Sequence, residues 1–85
     1  MLTKSKPTNA TVWSQTNCQA CVQAKQLLDR YGIPYSEKMI GINGYTKKDL
    51  IDAVPTARSV PQIFLDGKYV GGLPELKQIL LNDNN

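Results

Sequence analysis

An α/β domain built on a four-stranded mixed sheet with three flanking helices is what this chain predicts, and three observations predict it. Ala10-Thr11-Val12-Trp13-Ser14 and Val60-Pro61-Gln62-Ile63-Phe64-Leu65 are short, β-branched and aromatic, and read as strands. Asp66-Gly67 directly after the second is a two-residue hairpin signal, with Lys68-Tyr69-Val70 as the returning strand. Between and after these runs, three stretches carry apolar residues at helical spacing.

Each element has its local reasons. Ser14-Gln15-Thr16-Asn17 is a polar break, and Asn17 or Thr16 is expected to cap the helix that follows. That helix runs to about Tyr31, with Val22, Ala24, Leu27, Leu28 and Tyr31 as its apolar stripe. Gly32 stops it and Ile33-Pro34 cannot continue it. A further strand is expected within Pro34 to Ile40, interrupted by Glu37-Lys38, before a turn at Gly41-Ile42-Asn43-Gly44. Thr46-Lys47-Lys48-Asp49 resembles a capping box and opens a short helix through Leu50, Ile51, Ala53 and Val54, which Pro55 ends. Gly71-Gly72 breaks the chain after the hairpin, and Pro74-Glu75 fits the opening of a last helix with Leu76, Ile79 and Leu80 on one face. The first strand–helix–strand makes a parallel pair with a right-handed crossover, and the hairpin adds antiparallel strands. Three helices then cover the two faces of the sheet.

At 85 residues the chain is one domain, expected over residues 10–82, with an extended or disordered leader at 1–9 and a frayed tail at 83–85. Apolar residues at 41% and charged residues at 20% are ordinary for a globular chain. No run approaches the length of a membrane span, and the lysines of the leader have no apolar stretch behind them, so a cytoplasmic protein away from membranes is expected. A net charge of +3, scattered over ten Lys and Arg, argues against nucleic acid; Lys47-Lys48, the one adjacent basic pair, reads as a solvated helix face. There is no histidine. That excludes a Cys-His nucleophile pair and the commonest metal ligand, so proton transfer falls to cysteine, carboxylate, lysine or water.

Chemistry concentrates in Asn17-Cys18-Gln19-Ala20-Cys21, which holds both cysteines of the chain. Three residues apart at a helix start, they share one side of the first turn, near unpaired N–H groups and the positive end of the helix dipole. Such a setting lowers the pKa of Cys18 below the ~8.5 of a free cysteine. A lowered pKa with a second thiol in reach is what thiol–disulfide exchange requires. A structural staple remains open, although closing so short a loop is worth only about 2 kcal/mol. So does half of a metal site. Trp13 and Tyr69, each within a strand, are read as core or partial core rather than as a groove lining.

The cysteine bracket after the first strand, then Ser59-Val60-Pro61-Gln62-Ile63-Phe64, then Val70-Gly71-Gly72, together resemble the glutaredoxin family of the thioredoxin superfamily, over roughly residues 10–81. The resemblance implies a thioredoxin-like fold and a glutathione-dependent thiol–disulfide oxidoreductase with no bound cofactor. Cys18 falls on its nucleophilic cysteine and Cys21 on the resolving one. Ser59, Val60 and Pro61 fall on the segment whose proline is cis and whose valine backbone pairs with glutathione. Arg58 matches a position that helps hold a glutathione carboxylate, and Gly71, Gly72 and Leu73 match the turn that receives the γ-glutamyl end. Gln15 and Ala20 complete the expected binding set. Three departures stand out: Gln19 and Ala20 replace the usual proline and tyrosine, Gln15 stands where a lysine is common, and Pro74 stands where an aspartate is common. With two charged contacts missing or displaced, at about 1.5–3 kcal/mol each, glutathione is weakened by roughly one to a few orders of magnitude.

The implied partners are glutathione, disulfide-bearing proteins, ribonucleotide reductase among them, and either a glutathione or a thioredoxin reductase system. A monomer with no metal is expected. The family also offers two alternatives, a hydrogen donor recharged by thioredoxin reductase and a subunit-bridging iron–sulfur cluster on the nucleophilic cysteine, for which the small Ala20 leaves room.

Overall fold

A computed structural model describes residues 7–42 and 44–82. The element order is β1 (Ala10–Ser14), α1 (Gln19–Arg30), β2 (Tyr35–Met39), α2 (Lys47–Ala53), β3 (Gln62–Leu65), β4 (Lys68–Gly71) and α3 (Leu73–Asn82). The expected leader at 1–6, tail at 83–85 and turn residue Asn43 lie outside the described residues. Of the leader's remainder, Thr8 and Asn9 are held: the Thr8 amide and hydroxyl donate to Asp66 Oδ1 at 2.9 and 2.7 Å, and the Asn9 amide at 3.1 Å.

The sheet order is β2-β1-β3-β4. β1 and β2 are parallel, with Val12 opposite Glu37, as a helical crossover permits. β3 runs antiparallel to both β1 and β4, with a bulge between Ile63 and Phe64. Asp66 and Gly67 have φ of 51° and 83°, the left-handed pair that a tight two-residue hairpin requires. The third strand opens at Gln62, directly after Pro61, which has no N–H to give the ladder, and Ser59 and Val60 lie in a bend.

Strand alternation divides the core. Ala10, Val12, Ile63 and Leu65 face α1 and α3 and pack with Ala24, Leu28, Leu76 and Leu80. Trp13 faces the other way and is enclosed with Leu50 of α2 and Val54 at its C-cap. Trp13 is therefore core, whereas Tyr69 is 45% exposed. The expected helical stripes are broader than the buried ones: Val22, Ile51 and Ile79 are exposed, because a helix lying on a twisted sheet buries only one narrow line of contacts. The capping box of α2 forms as expected, Asp49 N donating to Thr46 Oγ1 at 3.1 Å and Thr46 N to Asp49 Oδ2 at 2.9 Å.

Candidate active site

The loop from β1 to α1 departs from expectation in one instructive way. Neither Thr16 nor Asn17 caps α1. Asn17 adopts φ 57°, a left-handed conformation that asparagine tolerates, and this turns Cys18 into the extended N-cap position. A sulfur then does what a hydroxyl usually does: the Cys21 amide donates to Cys18 Sγ at 3.1 Å. Cys18 thus lies one residue ahead of the helix, and Cys21 lies inside its first turn.

The two cysteines are joined in a disulfide with Cα atoms 5.2 Å apart. Their surroundings differ. Cys18 is half-buried at the rim, while Cys21 is 1% exposed. Across from them, the Val60–Pro61 peptide is cis, and the Val60 carbonyl oxygen lies 3.8 Å from Cys18 Sγ. Buried Gln62 fixes that segment from behind, its amide donating to the Ser59 carbonyl at 2.9 Å while Tyr69 Oη donates to its oxygen at 2.6 Å.

Two depressions meet at Ser59-Val60. The larger, about 560 Å³, is lined by Ala20, Ser59, Val60, Pro61, Gly71, Gly72 and Leu73, with Tyr69 and Glu75 at its walls. The smaller, about 230 Å³, has an apolar floor of Ile40 and Leu50 and takes Gln15, Arg58 and Lys47 at its edge. The sequence-predicted binding residues therefore divide between two depressions, Gln15 and Arg58 on one, Ala20, Pro61, Gly71, Gly72 and Leu73 on the other, and Ser59 and Val60 on both. Gly72 donates its amide to Glu75 Oε1 at 2.8 Å, closing the N-terminal turn of α3. Gly71 has φ 125°, and a Cβ there would stand 2.7 Å from Glu75 Cγ. Lys47, Tyr69 and Glu75 are among the lining residues that local sequence does not assign to the site. Lys47 reads locally as a solvated helix start, Tyr69 as a strand residue, and Glu75 as a helix-opening acid; only the packing of α2 against the 57–60 segment and of α3 against β4 brings them to the site.

A redox pair at a helix N-terminus, faced by a cis-proline segment on this strand and helix order, defines a thioredoxin-like protein of thiol–disulfide exchange. The pattern of the family described as Glutaredoxin matches residues 10–70. Glutaredoxin 3 of Escherichia coli K12 is 31% identical over 68 residues, covering 80% of this chain and 81% of that protein. The solution structure of reduced Escherichia coli glutaredoxin superposes with a TM-score of 0.73 at 29% identity, covering 89% of this chain and 96% of that one. Buckwheat glutaredoxin, solved as a glutathione complex, gives a TM-score of 0.69 at 25% identity over 87% of this chain and 69% of that one. A hybrid peroxiredoxin of Haemophilus influenzae is also 31% identical over 68 residues, but this chain spans 27% of its length. The chain belongs to the glutaredoxin family and is a thiol–disulfide oxidoreductase with the thioredoxin-like fold.

Proposed function

We propose that this glutaredoxin reduces protein disulfides and glutathione mixed disulfides in the cytoplasm, with Cys18 as the attacking sulfur, Cys21 as the resolving sulfur and glutathione as the electron source. One observation carries the reading. The more exposed sulfur sits at a helix N-cap, 3.8 Å from the carbonyl oxygen of Val60, the residue at which the two depressions meet and beside which an extended thiol compound can lie. On reduction, the Cys21 amide and the α1 dipole favour the thiolate at Cys18. That thiolate attacks a substrate disulfide and forms a mixed disulfide. Cys21 then displaces the substrate thiol and closes the Cys18–Cys21 bond, and two glutathione molecules reopen it.

The two depressions suit the ends of glutathione. Lys47 and Arg58 offer cations for the glycyl carboxylate, making up for the lysine absent at Gln15. The buckwheat relative, solved with glutathione, supports this co-substrate. A second reading draws on one contact: Glu75 already takes the Gly72 amide that a γ-glutamyl carboxylate would use. That occupancy favours recharging by thioredoxin reductase, with a protein such as ribonucleotide reductase as the disulfide substrate. An iron–sulfur cluster is poorly matched by the donor set. A cluster bridging two subunits would take Cys18 and a glutathione thiolate from each, and the charged glutathione contacts missing at Gln15 and Pro74 argue against it.

An NADPH-coupled disulfide assay tests the proposal, with glutathione and glutathione reductase in one arm and thioredoxin reductase in the other. The expected result is turnover in the glutathione arm, abolished in Cys18→Ser and retained toward glutathionylated protein in Cys21→Ser. Turnover only in the thioredoxin reductase arm transfers the chain to the second reading. Undiminished activity in Cys18→Ser overturns the assignment of the attacking sulfur.

A further inference from the structure

Ser59 and Val60 lie in a bend ahead of β3, outside the ladder that begins at Gln62, so strand pairing does not fix the peptide between them. A side chain fixes it instead. Gln62, 7% exposed, donates its amide nitrogen to the Ser59 carbonyl at 2.9 Å and accepts from Tyr69 Oη at 2.6 Å. Turned end for end, the Gln62 amide would set its oxygen against the Ser59 carbonyl, acceptor to acceptor. The chain from hydroxyl to amide to carbonyl therefore has one direction. Tyr69 is anchored in turn, pairing with Phe64 across β3 and β4 with ring centroids 5.5 Å apart. It is 45% exposed and forms a wall of the larger depression while its hydroxyl reaches the buried amide.

The Ser59–Val60 peptide is trans, so its carbonyl and its N–H point to opposite sides. With the carbonyl held by Gln62, the Val60 N–H is turned away from that side chain. The proline that follows keeps Val60 extended, and an extended residue points its own N–H and C=O the same way. The Val60 carbonyl oxygen lies 3.8 Å from Cys18 Sγ. Donor and acceptor of Val60 are thus both presented on the side of the dithiol, at the residue the two depressions share. We infer that Tyr69 and Gln62 are positioning residues of the exchange reaction. They set the Ser59–Val60 peptide plane so that Val60 offers a donor and an acceptor to the main chain around a substrate cysteine. Selection follows: a disulfide flanked by peptide groups gains these hydrogen bonds, and one without them gains neither. This role rests on the reading above, in which a cysteinyl compound lies beside Val60.

Two uncharged disulfides test this, that of N-acetylcysteine N-methylamide, with a peptide group on each side of its cysteine, and bis(2-hydroxyethyl) disulfide, with none. The fully reduced protein is mixed with an excess of either and quenched with acid and an alkylating agent. Its oxidation is followed by mass spectrometry. The ratio of the two rate constants, divided by the same ratio measured with dithiothreitol, gives the selectivity due to the protein. In the parent it exceeds one. Tyr69→Phe, which keeps the ring on Phe64 and removes only the hydroxyl, lowers it roughly three- to tenfold, the worth of a neutral hydrogen bond. Gln62→Leu lowers it at least as far, and adding Tyr69→Phe to that variant lowers it no further, because the two residues act as one chain. A role confined to holding up β4 would lower Tm and leave the ratio alone. Parent selectivity in Tyr69→Phe overturns the inference, whether or not the Gln62 variant folds. A selectivity of one in the parent overturns instead the underlying reading of Val60 as the place where a peptide thiol lies, so the two failures are distinguishable.

Discussion

The two depressions that meet at Val60 are made of different material. The larger is mainly backbone: the cis Val60–Pro61 peptide, the Gly71-Gly72 turn and the amide end of α3. The smaller is mainly side chain, with Gln15 from the β1–α1 loop, Lys47 from α2 and Arg58 from the approach to β3. A backbone surface asks only that glycine and proline stay where the turn needs them. A side-chain surface gathered from three elements can be retuned one residue at a time. Here Pro61, Gly71 and Gly72 line the first surface, and the uncharged Gln15 stands beside Lys47 and Arg58 on the second.

The larger depression should therefore break at its glycines. Gly71→Ala puts a Cβ at φ 125° and 2.7 Å from Glu75 Cγ. Backbone strain of this kind is worth roughly 1–3 kcal/mol, and about 4–8 °C of Tm is lost per kcal/mol in a domain of this size. Calorimetry should show that fall, together with a raised KM for glutathione in the coupled assay. An unchanged Tm and KM would mean that the turn is not built on glycine.

In the smaller depression, Lys47→Ala and Arg58→Ala should each raise KM for glutathione only a few-fold, since both side chains are exposed and exposed pairs are worth about 0.2–1 kcal/mol. The effect should shrink as salt is added. A loss in either variant that is indifferent to salt would point to packing rather than charge.

The smallest effect lies away from both depressions and serves as their control. Hydrogen bonds from Thr8 and Asn9 hold the exposed Asp66 carboxyl below its ordinary value. A depressed folded-state pKa stabilises the fold above the unfolded pKa of about 4, and that contribution is lost as pH falls through the folded value. Asp66→Asn should flatten the acid side of the Tm-against-pH curve slightly while leaving turnover at neutral pH intact.

Much of this architecture could be read in the chain. Local signals with their own physics, the Thr46/Asp49 capping box, the Asp66-Gly67 hairpin and the Cys18/Cys21 spacing, act within a few residues and survive into the fold. Signals that depend on a partner fared differently. Asn17 looked like a cap because its side chain favours that role, but the turn into α1 uses its tolerance of a left-handed backbone and passes the capping to sulfur. Tyr69 looked like core until β4 became an edge strand beside the groove.

The amino-acid order alone determined the dithiol, its place at a helix start, the strand and helix succession, and the glycine and proline punctuation of the binding segments, because each rests on torsions and spacings local to the chain. Tertiary structure decided which sulfur is shielded, that Lys47 and Arg58 line one depression, and that Ser14 and Lys25 converge on one oxygen of Glu37. Those depend on the register of parallel strands and the direction in which α1 returns across them, and register is fixed by what the whole core buries, not by any residue's nearest neighbours.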